Sequence, residues 1–285
     1  HGSNGATDQS MSNIEDVGRM EYVLNNYDSM ANVIVEDLDA IKAAYKKERR
    51  TVIENAEEAV FEEKKIEEAP VMFLMDRFGY AKTVDMATYE RNKEAADNEN
   101  RYVVQVMNTG KLAVFTDSGK MHLIKVLDVP FGKFRDKGVP IDNISNYNSR
   151  NEEIITITSQ SELNLYRMLF VTKQSMCKIV NGSEFDVAKR TVAATKLNEG
   201  DEVLSIVILN LQQNIVFRSK EGYFLRFAIE EIPEKKKNAI GVRGMKMGDK
   251  DYLEKVYYTQ NGTENVIKYK GKKMELNKLL IYHIH

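Results

Sequence analysis

A mainly β, propeller-like fold of about four to five four-stranded antiparallel blades, preceded by an α-helical coiled-coil segment, is predicted by three patterns in the chain. The first is a unit spanning residues 214–251. It opens with the apolar Ile215, Val216 and Phe217, read as an alternating strand, turns through Ser219, Lys220, Glu221 and Gly222, and returns along residues 223–227. β-Branched and aromatic residues on both sides of a glycine-containing turn form a hairpin. A basic loop with Lys235, Lys236 and Lys237 follows, then Gly241-Val242-Arg243-Gly244, a polar turn over residues 248–251, and another strand over residues 253–258.

The second pattern is recurrence. Anchored on the residue that starts the second hairpin strand, copies fall at Gly79, Gly119, Ser175, Gly222 and Gly271, with spacings of 40, 56, 47 and 49 residues. A period near fifty with about four strands per unit indicates propeller-like blades, which must pack on one another because none can bury both faces alone. The third pattern lies upstream. Met20, Leu24, Tyr27, Ala31, Ile34, Leu38, Ile41 and Tyr45 step by alternating fours and threes, the seam of a coiled coil.

In chain order, residues 1–12 are Gly-, Ser- and Asn-rich and read as a disordered leader or tag. Residues 13–53 form the helical segment, either one long helix or a helical hairpin, since Asn25, Asn26, Asp28 and Ser29 supply turn and N-cap residues. Residues 54–70, rich in Glu and Ala, form a linker, and residues 71–285 the β domain. Within it residues 89–100 (YERNKEAADNEN) read as the long connection of the first unit. The second unit pairs LAVFTD with KMHLIKV and the third RMLFVTK with MCKIV.

Composition narrows the function. One cysteine in 285 residues excludes a disulfide framework and a thiolate metal cluster. No apolar run approaches the roughly 18 residues of a membrane span, and no signal-peptide core opens the chain, so a cytoplasmic protein without a membrane partner is expected. Net charge is −2 overall, but residues 1–70 carry −8 and residues 71–285 carry +6. The basic residues recur at one position, after each hairpin: Arg91 and Lys93 in the first unit, Lys133, Arg135 and Lys137 in the second, Lys189 and Arg190 in the third, and Lys235, Lys236, Lys237 and Arg243 in the fourth. On stacked blades such segments line one rim. Lys and Arg spaced along a convex rim neutralise phosphates of double-stranded DNA, giving salt-sensitive, sequence-independent binding. A propeller used as a protein-interaction platform, with the same charges solvated, is the alternative.

The run YDSMANVIVEDLDAIKAAYKKERRTVIE resembles the end of the coiled-coil arm in the A subunit of bacterial type IIA topoisomerases, DNA gyrase and topoisomerase IV. RFGYAKTVDMATY, SGKMHLIKV, FRDKGVPI, EGYFLRF and NAIGVRGMKMGD resemble the C-terminal β-pinwheel of those subunits, so the likeness covers roughly residues 14–279. It implies a non-catalytic region that binds and bends duplex DNA and presents it to a cleavage core elsewhere in the same polypeptide. The partners implied are duplex DNA, the ATPase B subunit, which completes the holoenzyme, together with the remainder of the A subunit. No cofactor is implied for this segment; ATP and Mg2+ serve the parent enzyme through other domains. Gyrase A subunits carry a Gly- and Arg-rich box, of the form QRRGGKG, in the first blade. Residues 89–97 keep two basic residues there but lack the glycines, which favours a topoisomerase IV-like role in relaxation and decatenation over gyrase-type wrapping.

Catalytic alternatives are weak. Arg101-Tyr102 mimics the pair around the family's DNA-cleaving tyrosine, yet RYVVQVM reads as a strand, and the part of the family's chain that holds the nucleophile is not in this sequence. His122 lies within a strand pattern without a base partner or a metal-ligating set.

Overall fold

The computed structural model describes residues 65–284. The leader, the coiled-coil segment and residues 54–64 of the linker lie outside the described residues. Among the described residues seventeen strands form five antiparallel sheets. The first sheet contains β1 (Pro70–Asp76), β2 (Tyr80–Asp85), β3 (Asn100–Met107) and β6 (Val139–Pro140) in the order β3-β1-β2-β6. The second contains β4 (Lys111–Thr116), β5 (Lys120–Lys125), β7 (Ile154–Ser159) and β10 (Thr191–Ala193). The third contains β8 (Arg167–Thr172), β9 (Met176–Asn181), β11 (Val203–Ile208) and β14 (Val242–Arg243). The fourth joins β12 (Asn214–Ser219), β13 (Phe224–Ala228) and β15 (Leu253–Thr259), and the fifth is the hairpin of β16 (Val266–Tyr269) and β17 (Lys272–Glu275). Among the described residues no helix is long and apolar enough to cross a membrane.

The first hairpin strand of each of the first four sheets, β1, β4, β8 and β12, is apolar without alternation because both faces of those sheets are covered. Val71, Phe73 and Met75 of β1 face Leu112 and Val114 of the second sheet, whose Ala113 and Phe115 face Met168 and Phe170 of the third. Leu169 and Val171 of the third then face Ile215 and Phe217 of the fourth, and Val216 packs against Ile267 and Leu276 of the fifth unit. Reading residues 215–217 as alternating is thereby corrected: all three are buried, and successive side chains serve successive blades. Phe115, Phe170 and Phe185 lock the second sheet to the third, with ring centroids 5.2–6.2 Å apart. Each ring adds about 1.5–3 kcal/mol by burial. β3, β7, β11 and β15 touch in succession, which makes them the axial strands of the stack. The opposite edge of each sheet is therefore its outer rim.

The first sheet departs from expectation. Residues 89–100, read as the long connection of the first unit, do join β2 to β3, but they lie largely in α1 (Met86–Arg91) and α2 (Lys93–Glu99), which pair with no sheet. Asp85 caps α1 by accepting from the Thr88 N–H at 2.6 Å. Tyr89 and Ala96 pack on Met72, Leu74 and Val84, the face of β1 and β2 turned away from the second sheet. The helices thus stand where a preceding blade would pack.

The strand after each connector also changes owner. β6 follows the β4-β5 hairpin but pairs with β2, β10 follows β8-β9 but pairs with β5, and β14 follows β12-β13 but pairs with β9. Each connector therefore crosses to the preceding sheet and forms its outermost strand. Four full units and a fragment were expected. The structure has three four-stranded sheets, a three-stranded sheet met by its neighbour's connector at one bridge, Arg226 with Ile281, and the fifth hairpin. Gly138 and Gly241, both followed by valine, mark the crossing. At φ +81 and +100, a Cβ would stand 2.2 Å from the Ala81 carbonyl oxygen and 2.5 Å from that of Cys177, so no other residue fits.

Crossing leaves connector carbonyls without ladder partners, and buried or half-buried side chains of the receiving strand supply them. Lys178 of β9, fully buried, donates to the carbonyls of Lys236, Lys237 and Ala239 at 2.9, 3.0 and 2.7 Å. Burial pushes its ammonium down to about 8, with the Glu184 charge acting against the shift, so it stays protonated at neutral pH. Lys82 of β2 donates to the carbonyls of Phe134 and Asp136, and Arg226 of β13 to those of Asn277 and Leu279. In the second sheet His122 takes this place. Its Nδ1 meets the Thr191 hydroxyl at 2.8 Å, and its Nε2 meets Glu152 at 3.0 Å.

Replacing Lys178 with Met is expected to leave the Lys237 carbonyl without a donor, to leave those of Lys236 and Ala239 with only the Ala239 N–H and the Thr195 hydroxyl, and to lower stability by about 1–3 kcal/mol. A lower urea midpoint with an unchanged slope, together with faster amide exchange over residues 236–239, is the expected record. An unchanged midpoint would remove the clamp from the account.

Glu162, in the short helix α3 (Gln160–Leu163), gives a second test. It is buried, neither carboxyl oxygen has a hydrogen-bond partner among the described residues, and burial pushes its pKa up from 4.5 to about 8. The folded state then holds a proton that the unfolded state has released, so stability is full below about 4.5 and is lost as pH rises towards 8. Glu162→Gln is expected to flatten that decline and to gain a few kcal/mol at alkaline pH, read from urea unfolding across the range.

Candidate nucleic-acid interface

Each connector leaves the end of its own hairpin, reaches the second strand of the preceding sheet, loops outward and then pairs. In the first sheet the Thr83 N–H donates to the Pro130 carbonyl at 2.8 Å, the Gly132 N–H donates to the Thr83 carbonyl at 3.1 Å, and β6 closes on Tyr80 and Ala81. The loop between these anchors exposes Lys133, Arg135 and Lys137. Its turn is set by Asp136, which accepts from the Lys133 N–H at 2.8 Å, and by Lys137, whose ammonium stands 4.3 Å from the Tyr80 ring centroid. The third sheet repeats the arrangement. The Ile179 N–H donates to the Pro233 carbonyl and the Lys235 N–H to the Ile179 carbonyl, and β14 closes on Met176 and Cys177. Lys235 and Lys236 are exposed on that loop.

The second sheet receives residues 186–193. The Leu123 N–H donates to the Arg190 carbonyl at 2.8 Å, β10 pairs with β5, and Lys189 and Arg190 face solvent. Neighbouring connectors meet. The Lys237 N–H donates to Glu184 Oε1 and its ammonium to the Glu184 carbonyl, both at 3.1 Å. A groove of about 550 Å3 runs between the two, lined by Val187, Lys189, Thr191, Lys237 and Asn238 among others.

The eleven cations singled out in the sequence therefore have unlike settings. Lys133, Arg135, Lys137, Lys189, Arg190, Lys235 and Lys236 are exposed on crossing connectors at the rim. Lys237 is half-buried and committed to Glu184. Arg243 is exposed but lies on β14 beside the hairpin turn of the third sheet, lining a cavity of about 590 Å3 with Lys173, Met245 and Tyr252. Arg91 and Lys93 are exposed on α1 and α2, which form no edge strand and so do not match the other connectors. Sequence reasoning missed Lys82, Lys178 and Arg226, which fix the loops from beneath. Their signal was a basic residue recurring in the second hairpin strand.

Among the described residues, several groups of the kinds used in catalysis are tied into the structure. Glu152 is buried; burial alone would raise its pKa, but hydrogen bonds from Ser118, Thr116 and His122 outweigh it and hold the carboxylate at about 2. The Ser118 hydroxyl lies 2.6 Å from Glu152, and both His122 nitrogens are taken by Thr191 and Glu152, so serine and imidazole are not coupled as nucleophile and base. Tyr102 packs beside the first core cluster with its hydroxyl 3.2 Å from the Ile154 carbonyl oxygen. Burial pushes the Cys177 thiol up to about 12, outside the range of a reactive thiolate. Among the described residues no cluster of three or more His, Cys, Asp or Glu is placed to hold a metal ion.

Known proteins share this architecture. The DNA gyrase C-terminal domain, beta-propeller family matches residues 110–161, 167–210 and 213–260, each stretch containing a hairpin, the connector after it and an axial strand. The A subunit of DNA gyrase from Lawsonia intracellularis is 29% identical over 79% of this chain and 29% of its own length. The A subunit of DNA topoisomerase 4 from Staphylococcus aureus is 24% identical over 87% of this chain and 32% of its own. The chain spans about three-tenths of the curated relatives it matches. In fold it is similar to the crystal structure of the C-terminal domain of DNA topoisomerase IV, with a TM-score of 0.68 at 22% identity over 77% of this chain and 71% of that one. It is also similar to the E. coli ParC C-terminal domain, with a TM-score of 0.59 at 15% identity over 73% and 86%. With the repeat matched three times over, the chain belongs to the DNA gyrase C-terminal domain family, the β-propeller region of the A subunits of DNA gyrase and topoisomerase IV.

Proposed function

We propose that the rim carries duplex DNA on a bent path, without sequence readout, and delivers it to a cleavage core in the rest of a type IIA topoisomerase A subunit. The observation that carries this reading is the equivalent placement of three cationic connectors as the outermost strands of consecutive sheets, exposing seven Lys and Arg side chains. Phosphate contacts position a duplex without reading bases. A moderate bend over a short site costs about 1–6 kcal/mol, which several spaced contacts offset. Arg91, Lys93 and Arg243 flank the path, and Lys237 fixes the loop more than it reaches outward.

The region itself has no catalytic role in this reading. Mg2+-dependent strand cleavage, and ATP hydrolysis by the B subunit, belong to other domains of the holoenzyme. Relaxation and decatenation, more than gyrase-type wrapping, suit the segment after the first hairpin. It is taken up by two short helices that cover the first sheet, which leaves no glycine-rich loop there to lead the duplex around.

Salt-titrated binding to random-sequence duplex tests the reading. If all seven exposed cations neutralise phosphates, log K falls against log salt with a slope as steep as about −6, and replacing Lys235 and Lys236 with Glu lowers its magnitude by at least about 2 for every sequence. Lys237 is left in place so that the Glu184 tether survives. No binding at low salt would overturn the reading.

A further inference from the structure

The loop that crosses to the first sheet holds two phenylalanines three residues apart with opposite settings. Phe134 is half-buried against the cluster of Met72, Leu74, Val84, Tyr89 and Ala96, and the Lys82 ammonium lies 5.1 Å from its ring centroid. Phe131 is 64% exposed. Its backbone is nonetheless fixed, because Thr83 bonds the residues on either side of it and the two form a parallel bridge. An aromatic ring thus stands outward on a rigid support, with the exposed Lys133, Arg135 and Lys137 following it in the same loop. At the equivalent bridge of the fourth sheet stands Ile281, 50% exposed; at that of the third stands Glu234.

An apolar side chain held in water beside a row of cations matches a partner that offers phosphates and stacked apolar faces within one loop's reach. Duplex DNA does so, and side chains such as Phe, Leu and Ile enter the minor groove, part a base step and kink the helix away from it. We infer that Phe131 is a wedge that enters the minor groove of the bound duplex and partly unstacks one base step, so that bending is concentrated there. The inference rests on the DNA-binding reading above. Pyrimidine–purine steps open most readily, so the wedge settles on TA and CA steps and gives a weak positional preference to a domain that otherwise binds by charge.

The test uses the full chain and a short duplex carrying 2-aminopurine beside a central TA step, with dyes at the two ends. Binding by the unaltered protein is expected to raise the probe's fluorescence and to shorten the end-to-end distance. Phe131→Ala is expected to lose the fluorescence rise and most of the shortening while keeping the salt dependence of binding. Phe131→Leu, which keeps an apolar wedge, should restore both. Phe78→Ala, which removes the exposed ring at the turn of the first hairpin, should change neither. If Phe131→Ala matches the unaltered protein, or if the unaltered protein binds without a fluorescence rise, the wedge is overturned and the rim reading stands. If no variant binds at low salt, both fail together.

Discussion

A buried cation in the second hairpin strand, answering the carbonyls of a loop that belongs to the next hairpin, is the constraint on which the architecture turns. A connector that leaves its own sheet forms only a two- or three-residue ladder on its neighbour, and several of its other carbonyls turn towards the receiving strand. Lys178 meets three of them, Lys82 and Arg226 two each, and in the second sheet the Glu152-held His122 meets the Thr191 hydroxyl instead. These bonds join residues more than fifty apart and tie each blade to the next at the edge farthest from the axis. Side-chain packing between sheets would hold the stack without them. It would not hold the rim loops in one shape.

The division of labour among charges follows. Cations pointing inward from the receiving strand are desolvated and paired with carbonyls; cations on the loop they hold remain in water. The same loop thus has a fixed backbone and free charged ends, which lets it grip a polyanion with little loss of ordering entropy on binding. Proline and glycine complete the arrangement. Pro130 and Pro233 offer carbonyls to Thr83 and Ile179 at the start of the loop, and Gly138 and Gly241 let the chain approach the strand at its end. At the far end of the stack α1 and α2 cover the first sheet, so the sheets form a series with a protected beginning.

Much of this was legible in the sequence. Apolar hairpin strands, glycine at the turns and a period near fifty gave the blades, and basic residues after each hairpin gave the rim loops. Ownership of the loops was not legible, because a ladder as short as Val242 and Arg243 leaves no mark beyond the glycine before it. Lys178, apart from its recurrence with Lys82 and Arg226 in the second hairpin strand, resembles a surface lysine until its partners, 58 to 61 residues away, are in place. The His122–Glu152 pair was hidden likewise by a separation of 30 positions and by the hydroxyls of Thr116 and Ser118 that complete it. The helices after the first hairpin were readable: Asp85 is an N-cap three residues before Thr88, and residues 90–97 are rich in helix formers. Treating that stretch as one more connector followed from the repeat, and the repeat breaks there because no preceding sheet is present in the described residues to receive a strand.

Lysine acetylation, read by mass spectrometry with and without saturating duplex, shows which face of the domain the DNA covers. The account predicts that Lys133, Lys137, Lys189, Lys235 and Lys236 lose reactivity together when DNA is present, while Lys220, Lys250 and Lys270, at the hairpin turns and inter-strand loops away from the rim, react as before. Protection of the second set with the first unchanged would place the duplex on another face and contradict it.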